Sequence, residues 1–122
     1  MPLLRRPDGP ALEELLTESV RFHSPVADYE GRADVAHLLS LIAGVLSDVR
    51  PTRELTDEAG TTTFITGHVQ DHAFDGVLDE RLDEQGRVAD ATLMLRPLVV
   101  LRVAIDAMRS GLEVDPLPGR RS

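Results

Sequence analysis

The chain has 122 residues, a formal net charge of -8 and no cysteine. This length fits one domain with one core, and since only 3% of the residues are aromatic, we expect Leu, Val, Ile and Ala to fill that core. The negative charge repels phosphate groups, so nucleic acid is not an expected partner. The absence of cysteine excludes disulfides, thiolate zinc sites and thiol nucleophiles.

The first part of the chain predicts a short helix, a strand and a long helix. A possible cap at Asp8 and a first-turn proline precede leucines at helical spacing, and this helix is expected to end at residues 17–19. Alternating apolar residues then predict a strand that ends at Pro25, because proline removes a backbone donor. Residues 26–30 read as a loop, and from Arg32 the apolar residues recur along one helical face through Leu46.

The second part predicts a series of strands and a closing helix. Strands are expected over residues 52–57, 61–70, 74–82 and 88–95, with turns at residues 58–60, 71–73 and 83–86. Arg96 and Pro97 end the last strand and open a helix whose apolar side extends to Leu112. We expect one domain over residues 1–114 and a flexible tail over residues 115–122.

This element order is α+β, with helices laid on one face of a curled sheet. The chain resembles the SnoaL-like branch of the nuclear transport factor 2-like superfamily in three segments, residues 22–26 with Gly31 and Arg32, residues 83–88, and residues 94–98. The resemblance covers residues 10–112. It implies a cone-shaped, mixed but mainly antiparallel sheet of the nuclear transport factor 2-like or cystatin-like type, with helices on the concave face and a deep pocket between the two.

The superfamily contains steroid isomerases, polyketide cyclases, epoxide hydrolases and proteins without catalysis, so the fold alone does not choose a reaction. Where the ketosteroid isomerase pattern has a carboxylate base before a proline, this chain has Ser24, and the second acid of that pattern matches Leu78. The partner aspartate of limonene epoxide hydrolases matches Leu93. A serine without an activating base does not shuttle protons near neutral pH, so steroid isomerase chemistry in that form is not expected.

Two carboxylates remain as the candidate proton carrier. If Leu78 faces the pocket, strand alternation brings Glu80 to the same face, where a buried carboxyl could serve as acid or base. A bulge after Gly76 would turn Asp79 inward instead, so the pair forms one hypothesis. The alternative for both is a solvated strand end, since acidic side chains are seldom buried.

Histidines are the other candidates, because they titrate near neutral pH. If Ser24 faces the pocket, then His23 faces away from it. His68 could assist catalysis, although the sequence leaves open which face of its strand it occupies. The loose group of His68, His72 and their acidic neighbours lacks a recognised metal-binding spacing, so no metal and no cofactor are expected.

The resulting hypothesis is a pocket for a small hydrophobic or polyketide-like molecule, contacted by Phe22, Ser24, Tyr29, Leu78 and Leu93. Catalysis would be cofactor-independent isomerisation, cyclisation or hydrolysis by Glu80 or Asp79, and the alternative is a non-catalytic ligand-binding or dimerisation module of the same fold. The resemblance implies a homodimer through the outer sheet face, with Val88 and Met94 on that side. A cytoplasmic protein without membrane contact is expected, since no continuous apolar segment approaches a membrane span.

Overall fold

The computed structural model describes residues 9–120 of the protein. Its elements are, in chain order, α1 (Gly9–Glu14), β1 (Leu16–His23), β2 (Asp28–Glu30), α2 (Arg32–Val45), β3 (Leu46–Asp57), β4 (Gly60–Val69), β5 (His72–Leu82), β6 (Val88–Arg96), α3 (Leu98–Val114) and a 3-10 turn (Pro118–Arg120). Within these residues the strands form a six-stranded sheet in the order β2-β1-β6-β5-β4-β3. β1 runs parallel to β6, and the other neighbours are antiparallel.

The core lies between the helices and one face of this sheet, which we call the inner face. Alternate residues of β1, β4, β5 and β6 point inward and are buried, among them Phe22, Ile65, Leu78 and Leu93. Buried residues of α2 cover them, including Val35, Leu39 and Ile42. The predicted α+β fold, an open curled sheet with helices packed on it, is confirmed.

The first helix is shorter than the leucine spacing predicts. α1 ends at Glu14 and β1 already begins at Leu16, where the backbone N–H of Val88 donates to Leu15 O at 2.8 Å. Leu16 is fully buried as a strand residue opposite Val88. Pairing with β6 therefore outweighs the local helical spacing, and the predicted end at residues 17–19 is wrong. The cap predicted at Asp8 lies outside the described residues.

The two edge strands of the sheet, β2 and β3, include residues that the sequence did not predict to be extended. β3 begins at Leu46, where a helix end and a loop were expected, and β2 forms within the expected loop. Most of β3 is exposed, and its pairing with β4 shifts register after Ser47 and after Pro51. An exposed and bulged edge strand has no alternation of apolar residues, so periodicity does not detect it.

A bulge near the start of β6 changes which face Val88 occupies. The register with β5 shifts between Arg81 and Leu82, so that Leu82 pairs with Val88 and Arg81 with Asp90. Val88 is consequently 2% exposed in the core, whereas Met94 is 60% exposed on the outer face. The prediction that both share the outer face is wrong for Val88, because strict alternation fails across a bulge.

The segment after α3 packs against α2 where a flexible tail was expected. Leu117 is buried in the core cluster, Gly119 N donates to Asp34 Oδ1 at 2.7 Å, and His37 Nε2 donates to the carbonyl oxygen of Asp115 at 2.7 Å. Residues 121 and 122 lie outside the described residues. None of the helices between residues 9 and 120 has the length and apolarity to span a bilayer.

Candidate functional site: an apolar cavity

A cavity of about 400 Å³ lies between α2, α3, β6 and the segment that joins β1 to β2. Aliphatic side chains form its floor and walls, namely Leu38, Ile42 and Val45 of α2, Leu93 and Leu95 of β6, and Leu101, Ala104, Ile105, Met108 and Leu112 of α3. Its volume falls within the range of small-molecule sites, and such sites are predominantly apolar with a few polar groups.

Local sequence periodicity places these side chains around the cavity. The lining positions of α3 recur every three or four residues, which puts them on one side of the helix. On β6, Leu93 and Leu95 are two residues apart and therefore share the inner face. Of these aliphatic positions only Leu93 was predicted to contact a ligand, because a packed core and an apolar cavity require the same residue types at the same spacing.

Polar groups are concentrated at the mouth of the cavity. Ser24 contributes to it, but its hydroxyl donates to Ala27 O at 2.9 Å and accepts from the backbone N–H groups of Val26 and Ala27 at 3.3 and 3.0 Å. This serine stabilises the turn between β1 and β2. Tyr29 is partly buried beside it. Arg109 and Glu113, one helical turn apart on α3, complete the mouth.

Glu80 points to the inner face and is 2% exposed, as the alternation from Leu78 predicts. It lies opposite Thr61 of β4 and Ala91 of β6. The sheet residues that line the cavity are Tyr29, Leu46, Leu93 and Leu95, and Glu80 is not among them. Glu80 is thus a buried carboxyl in the core, separate from the cavity it was predicted to serve.

Asp79 points to the outer face. Residues 75–81 of β5 pair with β6 without a register shift, so the bulge that would have turned Asp79 inward is absent from this strand. Its carboxylate accepts hydrogen bonds from Thr62 Oγ1 at 2.6 Å and Arg81 Nε at 2.9 Å. Burial raises the pKa of Asp79, but the hydrogen bonds from Thr62 and Arg81 and the arginine charge outweigh burial and hold this pKa below its ordinary value.

His68 also lies on the outer face, at the far end of the β4–β5 hairpin from Glu80. Its side chain is half exposed and Nδ1 lies 3.5 Å from Asp48 Oδ2. It pairs with Ala73, whereas Glu80 pairs with Thr61, and seven residues of extended strand correspond to about 23 Å. The structure therefore does not bring Glu80, Asp79 and His68 together, and neither Asp79 nor His68 faces the cavity.

The five predicted ligand-contacting residues divide into two groups. Ser24, Tyr29 and Leu93 line the cavity. Phe22 and Leu78 are fully buried in the core cluster and do not line it. Their inward direction agrees with strand alternation, but other side chains of the helices and of β6 form the cavity wall.

His23 faces away from the cavity, as the alternation with Ser24 predicts. Its Nδ1 lies 2.8 Å from Asp28 Oδ1 and its Nε2 lies 3.1 Å from Asp90 Oδ2, both within hydrogen-bonding distance. The hydrogen bonds to Asp28 and then to Asp90 raise the pKa of His23 above its ordinary value, although burial opposes them. In the described part of the chain, no group of three or more His, Asp and Glu side chains is placed to hold a metal ion.

The fold is similar to several solved structures. A bacterial protein with a cystatin-like fold from Silicibacter pomeroyi is 26% identical, with a TM-score of 0.87 over 92% of this chain and 81% of that chain. A steroid delta-isomerase from Pseudomonas aeruginosa is 27% identical, with a TM-score of 0.85 over 93% of this chain and 85% of that chain.

A protein from Catenulispora acidiphila with a ketosteroid isomerase-like fold, in complex with trimethylamine, is 14% identical, with a TM-score of 0.62 over 81% and 84% of the two chains. No family model matches the sequence, and no curated protein matches it. The chain therefore has a nuclear transport factor 2-like fold, of the kind also described as ketosteroid isomerase-like or cystatin-like.

Proposed function

We propose that this protein binds a small, predominantly apolar molecule in the cavity between α2, α3 and β6, and that it does so as a binding module of the SnoaL-like branch. The observation that carries the proposal is the cavity itself, about 400 Å³ with aliphatic walls contributed mainly by α2, α3 and β6. Transfer of apolar surface from water into such a site is favourable by roughly 25 cal/mol per Å².

The chemistry of the mouth narrows the class of ligand. Arg109 is partnered loosely by Asp106 at 3.8 Å, and Glu113 lies one turn away, so the mouth carries no net positive charge to attract a carboxylate or phosphate. The Tyr29 hydroxyl supplies a neutral hydrogen-bonding group at the same place. A neutral apolar body with one oxygen or nitrogen near its end fits these features. The likeness to a steroid delta-isomerase makes steroid-sized polycyclic molecules one class to test, beside linear lipids.

Binding without turnover agrees with the placement of the two carboxylates that the sequence offered as proton carriers. Glu80 is buried among core residues, Asp79 is held by Thr62 and Arg81 on the outer face, and the lining position before Pro25 is Ser24, whose hydroxyl serves the turn. A general acid or base must reach its substrate within hydrogen-bonding distance or through one water. Glu80 and Asp79 therefore have structural positions in the core and on the sheet, and the cavity is suited to binding.

The test is the affinity for a neutral, environment-sensitive dye such as Nile red. Ala104→Phe places a ring in the cavity from α3, and Ala33→Phe makes the same change at an exposed position of α2. We expect Ala104→Phe to weaken dye binding by at least about tenfold, which corresponds to about 1.4 kcal/mol, and Ala33→Phe to bind like the wild type. Equal affinity for all three proteins, with circular dichroism showing that each is folded, would reject the cavity as the binding site.

We also propose a homodimer through the outer face of the sheet. Phe64, Val77 and Met94 lie directly across from one another on β4, β5 and β6, and Phe64 and Met94 are 36% and 60% exposed. Together they form a continuous apolar row on the outer face, and such rows favour association. Native mass spectrometry of freshly purified protein measures the subunit number and any retained small molecule in one experiment.

A further inference from the structure

His23 joins three strands on the outer face of the sheet. It belongs to β1, and its two ring nitrogens meet Asp28 of β2 at 2.8 Å and Asp90 of β6 at 3.1 Å. Carboxylate oxygens only accept hydrogen bonds, whereas a neutral imidazole has one donor and one acceptor nitrogen. Only the doubly protonated ring can therefore donate to both carboxylates. Loss of one proton leaves a nitrogen lone pair facing a carboxylate oxygen.

The contact between His23 and Asp28 joins the two ends of the loop that forms part of the cavity mouth. Residues 24–27 connect His23 to Asp28, and the Ser24 backbone N–H donates to Ala27 O at 2.9 Å inside that loop. Pro25 and Val26 line the cavity from this loop, and Tyr29 directly follows Asp28. The position of Asp28 relative to β1 therefore determines where Val26 and the Tyr29 hydroxyl stand over the cavity.

We infer that His23 is a positioning residue for the ligand site: when doubly protonated it fixes the β1–β2 loop in its ligand-binding geometry, and deprotonation releases the loop and weakens binding. This inference rests on the proposed function of the cavity, because it assigns a pH dependence to the affinity of that site. His23 lies outside the cavity and acts through the backbone of residues 24–29.

The surrounding charges favour the protonated ring. The charged groups on this part of the outer face include Arg21 of β1, Asp28 and Glu30 of β2, Asp90 of β6, and Asp79 and Arg81 of β5, which lie opposite Thr92 and Asp90. The two carboxylates in contact raise the pKa of His23 above 6.5, its ordinary value. A group with a raised pKa in the folded state stabilises that state fully below its unfolded pKa, and this stabilisation is lost as pH rises through the folded pKa. The contact is therefore complete in mildly acidic solution and is lost in alkaline solution.

The experiment measures Nile red affinity at about pH 6 and about pH 9, on either side of the histidine titration, for the wild type, His23→Gln and the control His68→Gln. His68 lies on the same outer face but contacts one carboxylate, Asp48, away from the cavity mouth. We expect the wild-type affinity to fall several-fold between the two pH values, His68→Gln to retain this fall, and His23→Gln to bind weakly at both.

Two outcomes separate the inference from the function on which it rests. Dye binding that is tight and equal at both pH values in the wild type, or a His23→Gln variant that keeps the wild-type profile, overturns the role of His23 and leaves the cavity in place. Dye binding that survives in Ala104→Phe overturns the cavity itself. An independent measurement is the NMR titration of the His23 ring, whose midpoint should move down in both Asp28→Asn and Asp90→Asn; an unmoved midpoint in both contradicts the inference.

Discussion

Asp79 and Glu80 are adjacent in β5 and lie on opposite faces of the sheet. The carboxylate of Asp79 accepts hydrogen bonds from Thr62 and Arg81 on the outer face, whereas Glu80 is 2% exposed on the inner face. The unshifted register of residues 75–81 with β6 causes this separation, because side chains alternate along a regular strand. The two carboxylates therefore have different roles, and neither lines the cavity.

Replacement of Asp79 should destabilise the fold in a pH-dependent manner. In Asp79→Asn the charge-assisted hydrogen bonds from Thr62 and Arg81 weaken, and we expect a loss of about 1 kcal/mol at neutral pH. Because the folded-state pKa of Asp79 is lowered, its contribution is present above the ordinary value of 3.8 and is lost as pH falls through the folded pKa. Urea unfolding at neutral and acidic pH measures the difference.

The control for this prediction is Asp75→Asn on the same strand and face. Asp75 forms an ion pair with Arg96 at 3.1 Å, but both side chains are more than half exposed, so the expected loss is within about 0.5 kcal/mol. Equal losses for the two variants, or a loss in Asp79→Asn that does not shrink in acid, would contradict the assignment.

Two glycines should respond to alanine in opposite directions. Gly60 begins β4 with φ +156, and a Cβ there would overlap the backbone carbonyl oxygen of Glu80, so we expect Gly60→Ala to cost more than about 2 kcal/mol. Gly44 lies in α2, where a Cβ would meet no other atom within 4 Å, and Gly44→Ala should stabilise by up to about 1 kcal/mol. Thermal unfolding of both variants checks the pair. A neutral Gly60→Ala would show that the β3–β4 turn differs from the one described.

Substitutions at Phe22 and Tyr29 should affect stability and ligand affinity differently. Phe22 is fully buried outside the cavity, so Phe22→Leu is expected to lower the free energy of unfolding by about 1–2 kcal/mol and to leave dye affinity unchanged. Tyr29→Phe removes a hydroxyl at the mouth, and should weaken ligands with a hydrogen-bonding end by about 1 kcal/mol at little cost in stability. A Phe22→Leu protein that stays stable but loses affinity would place Phe22 in the site.

A charge in the apolar row of the outer face should prevent dimerisation. In Met94→Glu a carboxylate would have to be desolvated between two subunits, and we expect a monomer in sedimentation equilibrium where the wild type is a dimer. Val114→Glu, at the 87% exposed end of α3, is the matched control and should leave the mass unchanged. A monomeric wild type contradicts the proposed dimer directly.

Much of the fold could be predicted because its elements carry periodic apolar patterns. This periodicity predicted the strands around Ile65 and Leu78 and the apolar side of α3. Strand alternation correctly placed Ser24 and His23 on opposite sides of the sheet. Alternation failed at Val88, where a bulge intervenes, and periodicity failed at Leu16, which pairs with Val88. Both failures come from contacts between residues that are far apart in the chain.

The sequence by itself determined the α+β order, the aliphatic core and the absence of the two acids of the ketosteroid isomerase pattern at Ser24 and Leu78. These follow from residue types and short-range spacing, which local backbone geometry translates into helices and strands. Only the tertiary structure decided that Glu80 is buried in the core, that the apolar side of α3 lines a cavity and that His23 contacts Asp28 and Asp90. Those relationships depend on strand register and on gaps between packed elements, which span the whole chain and leave no local pattern.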